Sequence, residues 1–291
     1  MFSLTKLLAA SLLLSAALAH ATISDDGLAA VAKQEEQALK ARIGIAVIDT
    51  ATESVASYRG HERFPLNSTH KALLCGALLS EQDQGKLRLT ERTQFDRAAL
   101  VAYSPVTEKF VAPADMSWQQ LCQAAIAYSD NTAANLIAKK LGGPAAVTRF
   151  FADLGDKVTR LDRFEPELNS AIPGDMRDTT TPVAVSETLQ KLTLGEALTP
   201  ASRAQLAQWM RDDQVAGALL RSALPAGWSI ADKTGAGEYG SRSIISVVWP
   251  ENSKPLIIAI YITQTEATLA QSNAAIARIG KAIFAAARES R

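Results

Sequence analysis

Segments with the pattern of β-strands lie near both ends of this chain, and a long helical region separates them. Apolar residues alternate over 43–49, and residues 54–58 are the expected hairpin partner of that strand. The strand pattern returns after residue 225 in three further segments, Trp228–Lys233, Ser243–Trp249 and Leu256–Thr263. Residues 68–210 carry apolar side chains at helical spacing instead. This order predicts one sheet built from both ends of the chain, with a helical domain inserted into it.

The predicted domain boundaries follow from the same order. Residues 22–60 and 212–291 are expected to form an α/β domain. Residues 61–211 are expected to form the inserted helical domain, which includes an irregular loop over residues 160–178. A ligand site is expected in the cleft between the two parts, since clefts of this kind often bind ligands.

The first 21 residues have the pattern of an export signal. Lys6 supplies the basic start, and Leu7–Leu18 supplies an apolar stretch that is too short to span a bilayer. Ala19–Ala21 has the small-x-small pattern of a cleavage site, so cleavage is expected before Thr22. We therefore expect an exported, periplasmic protein without a membrane anchor in its mature form.

Charge and metal-ligating residues exclude several classes of partner. The 30 basic and 30 acidic residues give a formal net charge of zero, which argues against nucleic acid or an anionic membrane surface. Only His61 and His70 remain after removal of the signal, so no metal site and no cofactor is expected. Cys75 and Cys122 are compatible with one disulfide in an exported chain, or with two buried free thiols.

The segment Pro65–Leu79 predicts a turn followed by a helix buried on most sides. Ser68 and Lys71 lie three residues apart and so share one helix face. A serine hydroxyl needs a neighbouring base to act as a nucleophile, and lysine can be that base where its surroundings favour the neutral amine. Chance occurrence is the alternative, because Ser3–Lys6 repeats the same short pattern.

Two further polar segments lie in the helical region. Ser129-Asp130-Asn131 offers a hydroxyl for proton transfer and an amide for substrate binding, or it is simply a helix cap. In the irregular loop, Glu165 is a candidate general base and Asn169 a candidate partner for a water molecule. The alternative for the loop is a solvated acidic segment. Arg163 and Asp178 are expected to join the two ends of the loop as an ion pair.

The segment Lys233-Thr234-Gly235-Ala236-Gly237 ends the first of the late strands. An amine and a hydroxyl can bind a carboxylate, and the glycines allow a ligand to approach the strand edge. Arg242 is expected to join them across a hairpin, and an ordinary hairpin turn is the alternative.

Taken in this order and with these gaps, the four motifs resemble those of the class A serine β-lactamases. The resemblance covers the mature chain. Over Leu224–Ala231 and at Arg242 the sequence is similar to the carbenicillin-hydrolysing branch, although that branch often has arginine where this chain has Lys233. It implies the two-domain serine β-lactamase/transpeptidase-like α/β (α+β) fold, in which an antiparallel sheet is flanked by helices and carries an inserted all-helical domain. It also implies a monomer.

The resemblance further implies roles for individual residues. Ser68 would attack the lactam carbonyl to form an acyl-enzyme, and Lys71 would help to remove its proton, directly or through Glu165 and a water. Glu165, followed by a cis bond to proline, would activate the water that releases the product, and Ser129 would protonate the departing nitrogen. Lys233 would lie near Lys71 and disfavour a second ammonium there, whereas Glu165 would favour one. Substrate would be held by Tyr103, Asn131, Thr234, Gly235, Ala236 and Arg242, and Cys75 would pair with Cys122.

The implied substrates are penicillins and early cephalosporins. Carbapenem-hydrolysing relatives often have cysteines where this chain has Asn67 and Gly237, and an intact Arg163–Asp178 pair favours small substrates over bulky oxyimino cephalosporins. Two other functions share part of the motif set: a penicillin-binding DD-peptidase or serine amidase, and an exported β-lactam sensor that stays acylated.

Overall fold

The computed structural model describes residues 23–289, and the predicted export signal lies outside these described residues. The strands are β1 (Arg42–Asp49), β2 (Ser54–Tyr58), β3 (Phe64–Pro65), β4 (Arg92–Thr93), β5 (Met116–Ser117), β6 (Thr179–Thr180), β7 (Ser229–Ala236), β8 (Arg242–Trp249) and β9 (Leu256–Thr263). The helices are α1 (Asp25–Leu39), α2 (His70–Asp83), α3 (Trp118–Ala127), α4 (Asn131–Lys140), α5 (Pro144–Asp153), α6 (Pro182–Thr193), α7 (Pro200–Arg211) and α8 (Leu269–Glu289). Over the range that the structure describes, no helix combines the length and the apolar character needed to cross a membrane.

The main sheet is antiparallel and its five strands run in the order β2-β1-β9-β8-β7. Strand β1, from the start of the chain, pairs along its whole length with β9, from the end, with Ile45 opposite Ile260. The prediction that both chain ends build one sheet is therefore confirmed. Strand β7 lies at the edge of the sheet, which leaves one side of its backbone open to the helical region.

Alternation along the strands divides the core between the two faces of the sheet. On β9, Ile258 and Ile260 face α1 and α8, whereas Ile257 and Ala259 face the helices of the inserted region. Both faces are covered, so the strand is apolar at nearly every position and has no polar side. The inserted region thus shares one continuous apolar cluster with the sheet, and this cluster fixes the sheet edge relative to α2.

The inserted region is mainly helical, and two short strand pairs, β3–β6 and β4–β5, are the departure from the all-helical prediction. Its helix starts are encoded locally, since Ser117, Thr181 and Thr199 accept hydrogen bonds from backbone N–H groups of the first helical turn. On this topology we propose the same division into an α/β part, residues 22–60 and 212–291, and a helical part, residues 61–211.

Candidate active site

Ser68 lies in a 3₁₀ turn over Asn67–Thr69, and α2 begins only at His70. The predicted helix start at Ser68 is therefore two residues early. Thr69 stabilises the turn: its hydroxyl donates to the Leu66 carbonyl at 2.6 Å and lies 3.0 Å from the Tyr261 hydroxyl on β9. This arrangement fixes the Ser68 hydroxyl at the mouth of the cleft.

Lys71, the second residue of α2, is fully buried, and its amine is the centre of a polar cluster. The Nζ atom donates to Ser68 Oγ at 2.9 Å and to the Ser129 carbonyl at 2.8 Å. It lies 3.1 Å from Glu165 Oε1 and donates at 2.5 Å to Asn131 Oδ1. The motifs on α2, before α4 and in the 160–178 loop therefore meet at one nitrogen atom.

Burial sets the protonation balance of this amine. Burial lowers the pKa of Lys71 below its ordinary value, against the charge of Glu165, the hydrogen bond to Glu165 and the charge of Asp130, which raise it. Burial raises the pKa of Glu165, but the charges of Lys71 and His70 and the hydrogen bonds from Lys71 and Asn169 outweigh burial, so this pKa lies below its ordinary value. A carboxylate thus stands beside an amine that gives up its proton more readily than a lysine in water.

The Ser-Asp-Asn segment forms the predicted helix cap and also lines the cleft. Asp130 caps α4 by accepting from Ala133 N at 2.9 Å, and it also accepts from Thr107 N at 2.9 Å. Ser129, which has a φ of +58°, and Asn131 flank this cap, and both line the cleft. The buried Asp130 therefore positions a hydroxyl and an amide on either side of it, with Ser129 Oγ 3.4 Å from Lys71 Nζ.

The 160–178 loop delivers Glu165 to the cluster and is held by polar contacts. Arg163 Nε donates to Asp178 Oδ2 at 2.6 Å, as expected from the sequence, and Asp178 Oδ1 accepts from Arg163 N at 3.0 Å. Asn135 on α4 forms two 2.8 Å hydrogen bonds with the Glu165 backbone, one to its N–H and one to its carbonyl. The Glu165–Pro166 peptide bond is cis, as the resemblance implied.

Asn169 lies beside the Glu165 carboxylate. Its amide nitrogen donates to Glu165 Oε2, and its buried Oδ1 atom has no hydrogen-bond partner among the described residues. An acceptor on Asn169 next to a carboxylate is suited to holding a water molecule, which needs both donors and acceptors around it.

Strand β7 supplies the opposite wall of the cleft. A side chain at Gly235 would lie 3.0 Å from Ser68 N and 2.8 Å from Asn67 Cβ, so only glycine allows the strand edge to approach the turn so closely. Arg242, opposite Ala236 on β8, donates from Nη1 to the Gly235 carbonyl at 3.1 Å and from Nε to Asn273 Oδ1 at 2.7 Å. The predicted contact of Arg242 with the Lys-Thr-Gly segment across the hairpin is thus present.

Lys233 is fully buried, with its Nζ 4.0 Å from Asp213 Oδ2 and donating to the Thr234 carbonyl at 3.0 Å. Burial lowers the pKa of Lys233 to about 8; Asp213 opposes this shift, and the charge of Lys71 adds to it. Burial also lowers the pKa of Arg242, to about 10. Lys71, Lys233 and Arg242 are thus all less basic than in water. Burial is the main cause for each, and the repulsion between cations that the sequence predicts is a smaller cause at Lys233.

These groups surround a cavity of about 340 Å³. Its lining residues come from seven separate segments: Ser68, Tyr103, Ser129, Asn131, Asn169, Val215, Thr234, Gly235, Ala236, Arg242 and Leu269. Tyr103 is 58% exposed and forms part of the rim, and Leu269 at the start of α8 is also exposed. Ser68 and Arg242 both line the cavity, whereas Lys71, Glu165 and Lys233 are buried and do not line it.

Sequence reasoning missed three residues of this neighbourhood: Asn135, which orients Glu165; Asp213, which faces Lys233; and His70, which lies beneath Glu165. None was singled out by a motif, and His70 was considered only as a metal ligand. Asn135 and Glu165 are 30 residues apart in the chain. Asp213 and His70 reach their partners because separate elements pack together.

Cys75 on α2 and Cys122 on α3 form a disulfide, with Cα atoms 5.8 Å apart. The disulfide alternative is confirmed, and the helix that carries Lys71 is therefore cross-linked to a second helix of the inserted region.

Comparison with known proteins agrees with this geometry. A family model described as the β-lactamase enzyme family matches residues 26–287. The β-lactamase AER-1 of Aeromonas hydrophila is 54% identical over 248 residues, which cover 85% of this chain and 82% of that protein. The β-lactamase PSE-1 of Pseudomonas aeruginosa is 49% identical over 252 residues, 87% of each chain.

Solved structures give the same result. The class A β-lactamase of the last common ancestor of Gram-negative bacteria superposes with a TM-score of 0.88 at 49% identity, covering 89% of this chain and 99% of that one. The chromosome-encoded β-lactamase of Vibrio parahaemolyticus superposes with a TM-score of 0.87 at 46% identity, covering 90% and 99%.

The fold and these relatives together define a serine hydrolase. The chain belongs to the β-lactamase enzyme family, and within it to class A. The resemblance found in the motifs, including that to the carbenicillin-hydrolysing branch, is confirmed.

Proposed function

We propose that this protein hydrolyses the β-lactam ring of penicillins and early cephalosporins through an acyl-enzyme on Ser68, and so confers resistance to these antibiotics. Its relatives are named β-lactamases at about half identity over most of the chain, which supports the activity and disfavours the DD-peptidase and sensor alternatives. The observation that carries the mechanism is the position of Lys71 Nζ, which lies 2.9 Å from Ser68 Oγ and 3.1 Å from Glu165 Oε1.

In acylation, Ser68 Oγ attacks the lactam carbonyl while its proton passes to Lys71, or through a water to Glu165. Burial of Lys71 supports the first route, because burial favours the neutral amine. The backbone N–H groups of Ser68 and Ala236 would hold the developing oxyanion, in a site that Gly235 keeps narrow. Ser129 then supplies a proton to the departing nitrogen.

Substrate binding is proposed at the side of the cavity formed by Thr234 and Arg242. Lys233, Thr234 and Arg242 would bind the carboxylate that penicillins and cephalosporins carry beside the lactam ring. Asn131, whose Oδ1 accepts from Lys71 and whose Nδ2 donates to the Ala102 carbonyl, would contact the side-chain amide of the substrate. Tyr103 would close the cavity from the exposed side.

In deacylation, Glu165 removes a proton from a water held between its carboxylate and Asn169. The hydroxide formed attacks the ester carbonyl, the Ser68–acyl bond breaks, and the serine oxygen takes up the proton that Glu165 removed from the water. The low pKa of Glu165 supports this role, because it keeps the carboxylate ionised and available as a base at neutral pH.

The proposed spectrum depends on crowding around Gly237. A side chain at this position would meet Asn67 Oδ1 at 2.5 Å and the Asn169 carbonyl at 2.6 Å, so strand β7, the serine turn and the loop are in close contact there. The Arg163–Asp178 pair further restrains the loop. A narrow, restrained site favours small acylamino side chains over bulky oxyimino groups.

For the intact protein we propose a periplasmic monomer. The pattern of residues 1–21 and the disulfide support export into an oxidising compartment.

The test is to mix the purified mature protein with excess ampicillin and to follow both ring hydrolysis and the intact mass. We expect continuous turnover with little trapped adduct. A stable adduct without turnover would instead support the sensor or the peptidase. Measured in parallel, cefotaxime should turn over far more slowly than ampicillin, and equal rates would contradict the proposed spectrum.

A further inference from the structure

His70, the first residue of α2, is buried directly beneath the catalytic cluster and has no role in the mechanism above. Its Nδ1 atom lies 2.8 Å from the Asn67 carbonyl. A carbonyl oxygen only accepts hydrogen bonds, so Nδ1 carries the proton and Nε2 of the neutral ring carries a lone pair. The tautomer is thus set by the backbone of the turn that holds Ser68.

The unprotonated Nε2 faces Glu165, with 4.0 Å between Nε2 and Oε1. A lone pair and a carboxylate oxygen do not attract each other, so the neutral ring leaves Glu165 to its other partners, Lys71 and Asn169. A proton on Nε2 reverses this relation. The imidazolium would then be a second cation next to the carboxylate, in a buried site where charges are weakly screened.

Three charged groups act on the pKa of the His70 ring. Glu165 and Asp178, both on the 160–178 loop, raise the pKa of His70, and Lys71 on its own helix lowers it. Burial is the largest influence and lowers the pKa of His70 below its ordinary value. The ring is therefore neutral at pH 7 and becomes charged only in acid. Its charge in turn lowers the pKa of Glu165.

We propose that His70 is a positioning residue for Glu165: its neutral ring leaves the carboxylate available to activate water, and its imidazolium binds the carboxylate and slows deacylation in acid. The proposal rests on the deacylating role of Glu165 given above. Acylation depends on Ser68 and Lys71, so the two half-reactions are expected to respond differently to acid. The acyl-enzyme should accumulate as the ring takes up its proton.

The matched pair of variants is His70→Asn and His70→Phe. Asparagine keeps an N–H donor near the position of Nδ1 and lacks Nε2, whereas phenylalanine fills the site and lacks both nitrogen atoms. For each protein, kcat for ampicillin is measured between about pH 5 and pH 7, with intact mass recorded after acid quenching. Far-ultraviolet circular dichroism and the melting temperature show whether each variant folds.

In the wild type we expect kcat to fall towards about pH 5 while acyl-enzyme accumulates. In His70→Asn the ratio of kcat at about pH 5 to kcat at about pH 7 should be at least about threefold higher than in the wild type, and less acyl-enzyme should be trapped. An identical acid limb in the wild type and in a folded His70→Asn variant would overturn the proposal. Absence of hydrolysis by the wild type at every pH would instead contradict the proposed function, so the two failures are distinguishable.

A measurement on the nearly intact protein covers the case in which the His70 variants do not fold. The pKa of His70 can be followed by NMR, since His61 is the other histidine of residues 23–289. Glu165→Gln removes a negative charge 4.0 Å from Nε2, so the pKa of His70 should fall further. An unchanged pKa of His70 in this variant would show that the two groups do not interact.

Discussion

Helix α2 carries the Lys71 amine and the 160–178 loop brings the Glu165 carboxylate to it, but the two regions are held in place by different forces. The helix is buried on all sides from Leu73 to Leu79 in one apolar cluster and is cross-linked to α3. The loop has few buried apolar side chains, and it is held by the Arg163–Asp178 pair and by Asn135. Lys71 is therefore positioned by packing, and Glu165, the proposed deacylating base, by a few polar contacts. Damage to the two regions should separate stability from deacylation.

The largest expected effect concerns the helix. Closing a loop of 47 residues by a disulfide stabilises a chain by about 4 kcal/mol in the loop-entropy model. Cys75→Ser with Cys122→Ser should therefore lower the free energy of unfolding by about 2–4 kcal/mol, with kcat at 25 °C nearly unchanged. Urea unfolding and steady-state kinetics measure both. A fall in kcat without loss of stability would contradict the assignment of α2 to packing.

The next effect concerns the loop. Arg163→Ala leaves the buried carboxylate of Asp178 without its ion-pair partner, a change that costs about 3 kcal/mol in comparable buried pairs. Because the loop carries Glu165, we expect deacylation to slow by about a hundredfold and acylation to change little. Pre-steady-state kinetics with ampicillin resolve the two steps. Equal slowing of both would show that the loop also positions Ser68.

A smaller effect concerns Lys233, which lies outside both regions and acts on substrate binding. With a pKa of about 8, Lys233 loses its charge as the pH rises, so carboxylate binding should weaken on the alkaline side. We expect kcat/KM to fall about tenfold between neutral pH and about pH 9. Lys233→Arg keeps its charge over this range and should remove most of the fall. The same alkaline limb in both proteins would assign it to another group.

The smallest effect is on stability in acid. The pKa of His70 lies below 6.5 in the folded protein, so the unfolded chain binds a proton first as the pH falls. The stability contributed by the neutral ring is complete above 6.5 and is lost progressively below that value, by about 1 kcal/mol per pH unit until the folded pKa is reached. His70→Asn should show a smaller loss between about pH 6.5 and pH 5.5 in urea unfolding. An equal loss in both proteins would mean that other groups cause it.

The fold was predictable because its determinants are local. Alternation in β1, the continuous apolar run of β9 and helical spacing between them predict a sheet from both chain ends, and the resemblance carried by the motif order supplied the remaining topology. The 3₁₀ turn at Asn67–Thr69 was not predicted, because its shape depends on contacts with β9 and the β7 edge.

The site was predictable where catalytic residues form short motifs and was missed elsewhere. Ser129 and Asn131 were found because Asp130 lies between them, and the cap alternative was correct for Asp130 itself. Asp213 and His70 act on Lys233 and Glu165 through space, across elements whose packing no spacing rule describes. Such residues set the protonation of a site, and a structure is needed to find them.

The central claim is that Ser68 takes the acyl group and that Glu165 releases it through an activated water molecule. The most direct measurement is the intact mass of Glu165→Ala, Ser68→Ala and the wild type after mixing with excess ampicillin. We expect Glu165→Ala to gain the mass of one ampicillin and to keep it, Ser68→Ala to gain none, and the wild type to return to its own mass after turnover. Rapid turnover by Glu165→Ala, or an adduct on Ser68→Ala, would contradict the claim.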